Sequence, residues 1–167
     1  MFRRRGKTDQ TKNTDPAPAE VYLGLRDQIL TLDPTSVGLA GSLWGCVMET
    51  GYPNGTATLV CLSDGTTSLY TSSGGGIIGG GGHEAVVLEN SKLLAVLGDH
   101  LAEMSPSADQ SLPGEGRTII RALTTDGQRT YEAAENELGG DRSTMSPVFY
   151  AAHAVITQLR LIDEATR

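Results

Sequence analysis

The sequence predicts an α+β domain: a five-stranded antiparallel sheet in the element order α-βββ-α-ββ-α, with the helices packed on the sheet. Three observations carry this reading. Two Asp-Gly pairs, Asp64-Gly65 and Asp126-Gly127, each separate two runs rich in β-branched and apolar residues, the mark of a hairpin. Three other segments repeat apolar residues at spacings of three and four, which lays them on one helix face. Between them lies a glycine run, residues 74–82, seven of whose nine positions are glycine. At 167 residues, with 38% hydrophobic content, the chain suits one core and one domain.

Residues 1–17 hold Arg3, Arg4, Arg5 and Lys7 among Thr, Asn, Asp and Pro, too little apolar surface to order itself. They read as a disordered N-terminal tail ahead of a single domain over 18–167. Asp15 and Pro16 offer an N-cap and a first-turn proline. Tyr22, Leu25, Ile29 and Leu32 give the first helix its apolar stripe, ended by Asp33-Pro34. Residues 42–50 read as a strand, broken by the Gly, Pro and Asn of 51–55, and residues 57–63 and 66–72 as a hairpin around Asp64-Gly65. A two-residue loop there sets Val60 opposite Leu69 and Leu59 opposite Tyr70, apolar pairs on both faces.

Val87, Leu94, Leu97, Leu101 and Met104 predict a second helix over 83–104, closed by Ser105-Pro106. After a loop over 105–116, strands at 118–125 and 128–134 flank Asp126-Gly127, and that register puts Arg121 across from Glu132. Ser146 as cap, Pro147 in the first turn, and Val148, Ala152, Val155, Leu159 and Ile162 predict the closing helix.

A net charge of −7 and a pI near 4.9 argue against nucleic acid as a partner, because phosphate binding needs a clustered basic face. No apolar run reaches the length of a membrane span, so no membrane insertion is expected. The basic start runs into Thr8, Asp9 and Gln10 rather than the apolar core of a signal peptide, and a cytoplasmic location is the expectation. Cys46 and Cys61 lack metal or disulfide-framework spacing and read as reduced core residues. The acidic residues form no calcium loop. No cofactor is implied.

The glycine run contains G-x-G-x-x-G as Gly74, Gly76 and Gly79, between a strand and a helix, where backbone amides can close on an anion. Against a phosphate role, the flanking strands are antiparallel, and Gly82 is followed by His83 and Glu84 where a phosphate loop wants Lys and Ser or Thr. A connector needing glycine geometry is the plainer reading. The candidate ligand-binding set is Ser72, Ser73, Gly74, Gly76, Gly79, Gly82 and His83. His83 beside the two serines would be the beginning of a base and nucleophile, with no orienting acid to name, so no catalytic residue is assigned. Ile77 and Ile78 either plug the sheet edge or form an exposed finger. His100 and Glu103 share a helix turn as a solvated pair rather than a metal site, and His153 flanks the last apolar stripe.

The order of elements over residues 18–165, with the Asp64-Gly65 meander, the Asp126-Gly127 hairpin and the Ser146-Pro147 helix, resembles the fold of type III secretion chaperones and related small bacterial proteins. That resemblance implies an acidic, usually dimeric binding protein. The glycine run departs from it. Double-stranded RNA-binding domains share the first five elements, but the basic residues they need at the second helix are missing. The expected function is a non-enzymatic binding or regulatory protein with a protein partner or self-association as a homodimer. The alternative is a small-ligand or nucleotide-binding protein, or an enzyme, organised on residues 72–84.

Overall fold

The computed structural model describes residues 18–39 and 41–167. The tail expected over residues 1–17, and with it the Asp15-Pro16 helix start, lies outside the described residues. Helix α1 (Glu20–Leu30) leads into the meander β1 (Leu43–Tyr52), β2 (Gly55–Leu62) and β3 (Thr67–Thr71). A two-residue strand β4 (Gly76–Ile77) and a 3-10 turn (Gly80–Gly82) precede α2 (Glu84–Asp99). A second 3-10 turn (Leu101–Glu103) and β5 (Ser105–Pro106) follow, then the hairpin β6 (Arg117–Thr124) and β7 (Gly127–Ala134), a short α3 (Glu135–Gly139) and α4 (Ser146–Ala165).

The class is α+β with an antiparallel sheet, but the sheet has seven strands, not five, in the order β4-β3-β2-β1-β6-β7-β5. The expected element order is corrected by three insertions: β4, β5 and α3. Both added strands are two residues long and sit at the two edges, too short to leave a period-two pattern. One of them is drawn from the glycine run, where composition argues against any strand. The second helix also stops at Asp99, its expected last turn being the 3-10 segment to Glu103.

Alternation along the strands sends two sets of side chains to opposite faces. Cys46, Met48, Leu59, Cys61, Leu69, Ile120 and Ala122 meet α2 and α4. Val47, Val60, Leu62, Tyr70 and Leu123, with Trp44, meet α1 and Leu112 of the strap over residues 107–116. Both faces are therefore covered, one of them in part by the strap.

Each hairpin register differs from the expected one, for a local reason. At the first, Leu59 faces Leu69 and Thr58 faces Tyr70, one residue away from the expected pairing. The Leu62 N–H donates to Thr66 O, the Gly65 N–H to Leu62 O, and Gly65 sits at φ +93°, so the loop is a three-residue turn closed by a left-handed glycine. At the second, Thr124 pairs with Gly127, so Thr125 and Asp126 form the loop and Arg121 faces Thr130 instead of Glu132. Arg117 reaches Glu132 instead, at 3.5 Å on the surface.

Cys46 and Cys61 lie directly opposite each other on β1 and β2, both free and buried. Burial pushes the Cys46 thiol up to about 12, and burial, then its neighbour Cys46, raises Cys61 well above the usual range. A thiol reagent at pH 8 is therefore expected to label neither cysteine in the folded chain and both in denaturant. Rapid labelling of the native protein would show that the core around this pair opens. No helix among the described residues is long and apolar enough to cross a membrane.

Candidate functional site

The glycine run is laid along the outer edge of β3. Thr71 donates from its N–H (2.9 Å) and its Oγ1 (3.1 Å) to Gly75 O, and Tyr70 and Leu69 pair with Gly76 and Ile77. The approach is close enough to require glycine: a Cβ on Gly76 would stand 2.6 Å from Leu69 O, and one on Gly81 2.9 Å from Gly65 O. Gly80 is buried, and a Cβ there would lie 2.5 Å from a Leu159 methyl. Gly79 adopts φ +82°, where a β-carbon is strained. The run thus covers an edge that would otherwise present unpaired backbone groups.

The candidate ligand-binding residues are distributed along this cover. Ser72 is buried, and its Oγ accepts the Thr56 N–H at 2.8 Å while its carbonyl accepts the Ala19 N–H at 2.8 Å, so it ties the β1–β2 turn to the start of α1. The Ser73 hydroxyl shares a hydrogen bond with Thr71 Oγ1 at 3.1 Å. The amides of Gly74, Gly82 and His83 donate to Thr71 O, Gly79 O and Gly80 O, all within the segment. His83 is exposed at the N-cap of α2, with no side-chain cap bond and no hydrogen bond to either serine. The geometry gathers backbone around an edge rather than side chains around a substrate.

The two isoleucines divide the two roles weighed for them. Ile77 packs against the core under α2 and α4, whereas Ile78 is 68% exposed. Ile78 borders a groove of about 200 Å³ between α1 and the run, walled by Val21, Tyr22, Leu25 and Tyr70 and floored by Gly74–Gly76. Val21 is 61% exposed at its rim. Hydrogen-bonded pairs alternate along an antiparallel ladder. Because Thr71 bonds Gly75, the backbone groups of Gly75 and Ile77 turn toward β3, and those of Gly76 and Ile78 turn away from the sheet. From Thr50 to Gly82 the only charged residue is Asp64, in a chain that is 20% charged. The open edge therefore lacks the lysines and prolines that usually guard one.

Beneath α1 lies a polar cluster that sequence reasoning missed. Glu49, wholly buried on β1, accepts from Arg26 Nε (2.6 Å) and Nη2 (3.1 Å), from Thr58 Oγ1 (3.0 Å) and from Arg121 Nε (3.2 Å). The two guanidinium groups also donate to the strap carbonyls of Asp109, Gln110 and Ser111. Tyr22 OH closes the set on Thr58 Oγ1 at 2.7 Å. Burial raises the Tyr22 phenol above its ordinary value, against the lowering effect of that bond. Every charged group here is partnered, so the cluster is a clamp joining α1, β1, β6 and the strap. The sequence signal was a lone carboxylate inside an otherwise apolar strand.

The remaining histidines serve helices. His100 Nδ1 lies 2.7 Å from Val96 O at the end of α2, and His153 packs against Phe149 with ring centroids 4.3 Å apart and the rings tilted by 50°. Among the described residues no group of three His, Cys, Asp or Glu could hold a metal ion. Burial, then Arg160, lowers the His153 pKa. A depressed folded pKa means that unfolding takes up a proton, so this group's stabilisation is present above about 6.5 and lost as pH falls through its lower folded value. Thermal melts from pH 7.5 to 5.5 are expected to decline less steeply in His153→Leu than in the wild type. Parallel declines would show that this ring does not sense the pH.

Comparison with protein-family models, with curated proteins and with solved structures gives no significant match in any of the three.

Proposed function

We propose that this chain is a non-enzymatic binding or regulatory protein, with the chaperone-like fold that its longer helices and strands suggest, that works through the β4 edge and the groove beside it. One observation carries the reading: the outward backbone groups of Gly76 and Ile78 stand open and uncharged next to an apolar groove that Ile78 borders. An extended segment added there would take its hydrogen bonds from the edge and place an apolar side chain against Val21 and Tyr70, the logic of strand addition. The absence of charge over residues 65–82 selects for an uncharged partner segment.

The small-ligand reading has less behind it. The groove is below the roughly 300–1,000 Å³ of ordinary ligand pockets, and the amides of Gly74, Gly82 and His83 donate to the chain's own carbonyls. The test is the dye bis-ANS, which reports exposed apolar surface, together with a thermal-shift screen of nucleotides, phosphorylated metabolites and divalent metals. Dye binding that falls severalfold in Ile78→Lys, with no stabilisation by any screened compound, is expected. A compound that raises the melting point as a ligand at ~100 times its Kd would, by about 2.7 kcal/mol, favours the alternative.

A further inference from the structure

We infer that the partner at this edge is a second copy of the same chain, joined by isologous antiparallel pairing of β4 with β4 about a twofold axis through Ile77. The inference rests on the reading of β4 as the working edge and adds its occupant. The register follows from the backbone. Gly76 and Ile78 are the residues whose amides and carbonyls face outward, so in a symmetric antiparallel pair Gly76 of one copy meets Ile78 of the other, twice, with Ile77 facing Ile77 on the axis. Four hydrogen bonds form, and the sheet continues from one copy into the next.

The side chains fit the same register. Ile78 projects on the α1 side and lands over Gly76 of the partner, which has no side chain and forms part of the groove floor. The exposed isoleucine of each copy thus fills the groove of the other. Ile77, on the opposite face, meets its counterpart beside the α2 and α4 core. Charge favours the same occupant. A chain of net charge −7 repels its own copy over most of its surface, and the span from Gly65 to Gly82 is a stretch where neither copy brings a carboxylate. A basic or acidic partner finds nothing there to recognise.

Analytical ultracentrifugation at about 100 µM, a concentration suited to a small interface, tests the pairing. A species of twice the 17.6 kDa chain mass is expected for the wild type, and a 17.6 kDa species for Ile78→Lys, with equal melting points for the two in dilute solution, where neither is paired. The register has its own test. Non-hydrogen-bonded antiparallel partners stand about 4.5 Å apart at Cα, within disulfide reach. Ile77→Cys with glutathione disulfide as oxidant should give a covalent dimer, and Ile78→Cys should not. A wild type that stays monomeric, or a dimer that Ile78→Lys leaves intact, overturns the pairing. If the monomer still binds bis-ANS in an Ile78-dependent way, only the occupant is wrong. If it binds no dye, the edge reading falls with it.

Discussion

Replacing Glu49 by Ala is expected to destabilise the fold by about 3–5 kcal/mol, the cost of leaving buried charge without its partner. Arg26 and Arg121 both converge on this carboxylate, and the Arg121 side chain is 1% exposed. Removing it leaves two guanidinium groups against the sheet with only strap carbonyls to satisfy them. Backbone oxygens carry no charge to offset them. Urea unfolding measures the loss. Glu132→Ala is the control, because its partner Arg117 and Glu132 itself are nearly half exposed and such pairs contribute about 0–1 kcal/mol. Equal effects of the two substitutions would mean that the clamp does not hold α1 and the strap as described.

The second large effect is expected from Gly76→Ala combined with Gly79→Ala, at roughly 2–5 kcal/mol. A Cβ on Gly76 meets the Leu69 carbonyl at 2.6 Å, a backbone atom that cannot yield without moving β3, and overpacking of this kind costs about 1–3 kcal/mol. Gly79 at φ +82° adds the left-handed penalty of about 1–2 kcal/mol, with no steric neighbour involved. A flexible tether would respond with the opposite sign, since alanine lowers the entropy of the unfolded chain. Chemical denaturation at low concentration keeps any self-association out of the comparison. An unchanged or raised midpoint would remove the edge-covering role of the run.

The helices and long strands were legible because their signals are repeated: the stripe from Val148 to Ile162 runs over fifteen residues, and α4 spans Ser146–Ala165. The registers were not, because a single residue decides each. Gly65 in a left-handed conformation lengthens one loop, and Gly127 falls inside its strand and shifts the other. Arg121 shows the consequence. Read against Asp126-Gly127 it pairs with Glu132 on the surface, whereas in the fold it is buried on Glu49, a contact across 72 residues that no local pattern encodes. The glycine run was legible as a segment that needs glycine, but not as the home of a strand. Gly76 and Ile77 form a strand because β3 offers them an edge, a tertiary effect that overrides their propensity. The bond from the Thr56 N–H to the Ser72 hydroxyl is likewise a contact across 16 residues that no local pattern encodes.

Residue-resolved amide hydrogen exchange across a concentration series tests the central claim, that β4 is an open edge made to be filled, most directly. The Ile77 N–H, turned toward β3, is expected to stay protected at every concentration, while those of Gly76 and Ile78 exchange freely in dilute solution and become protected as the chain concentrates. Gly76 and Ile78 amides that exchange freely even when concentrated, or that are already protected when dilute, would contradict it.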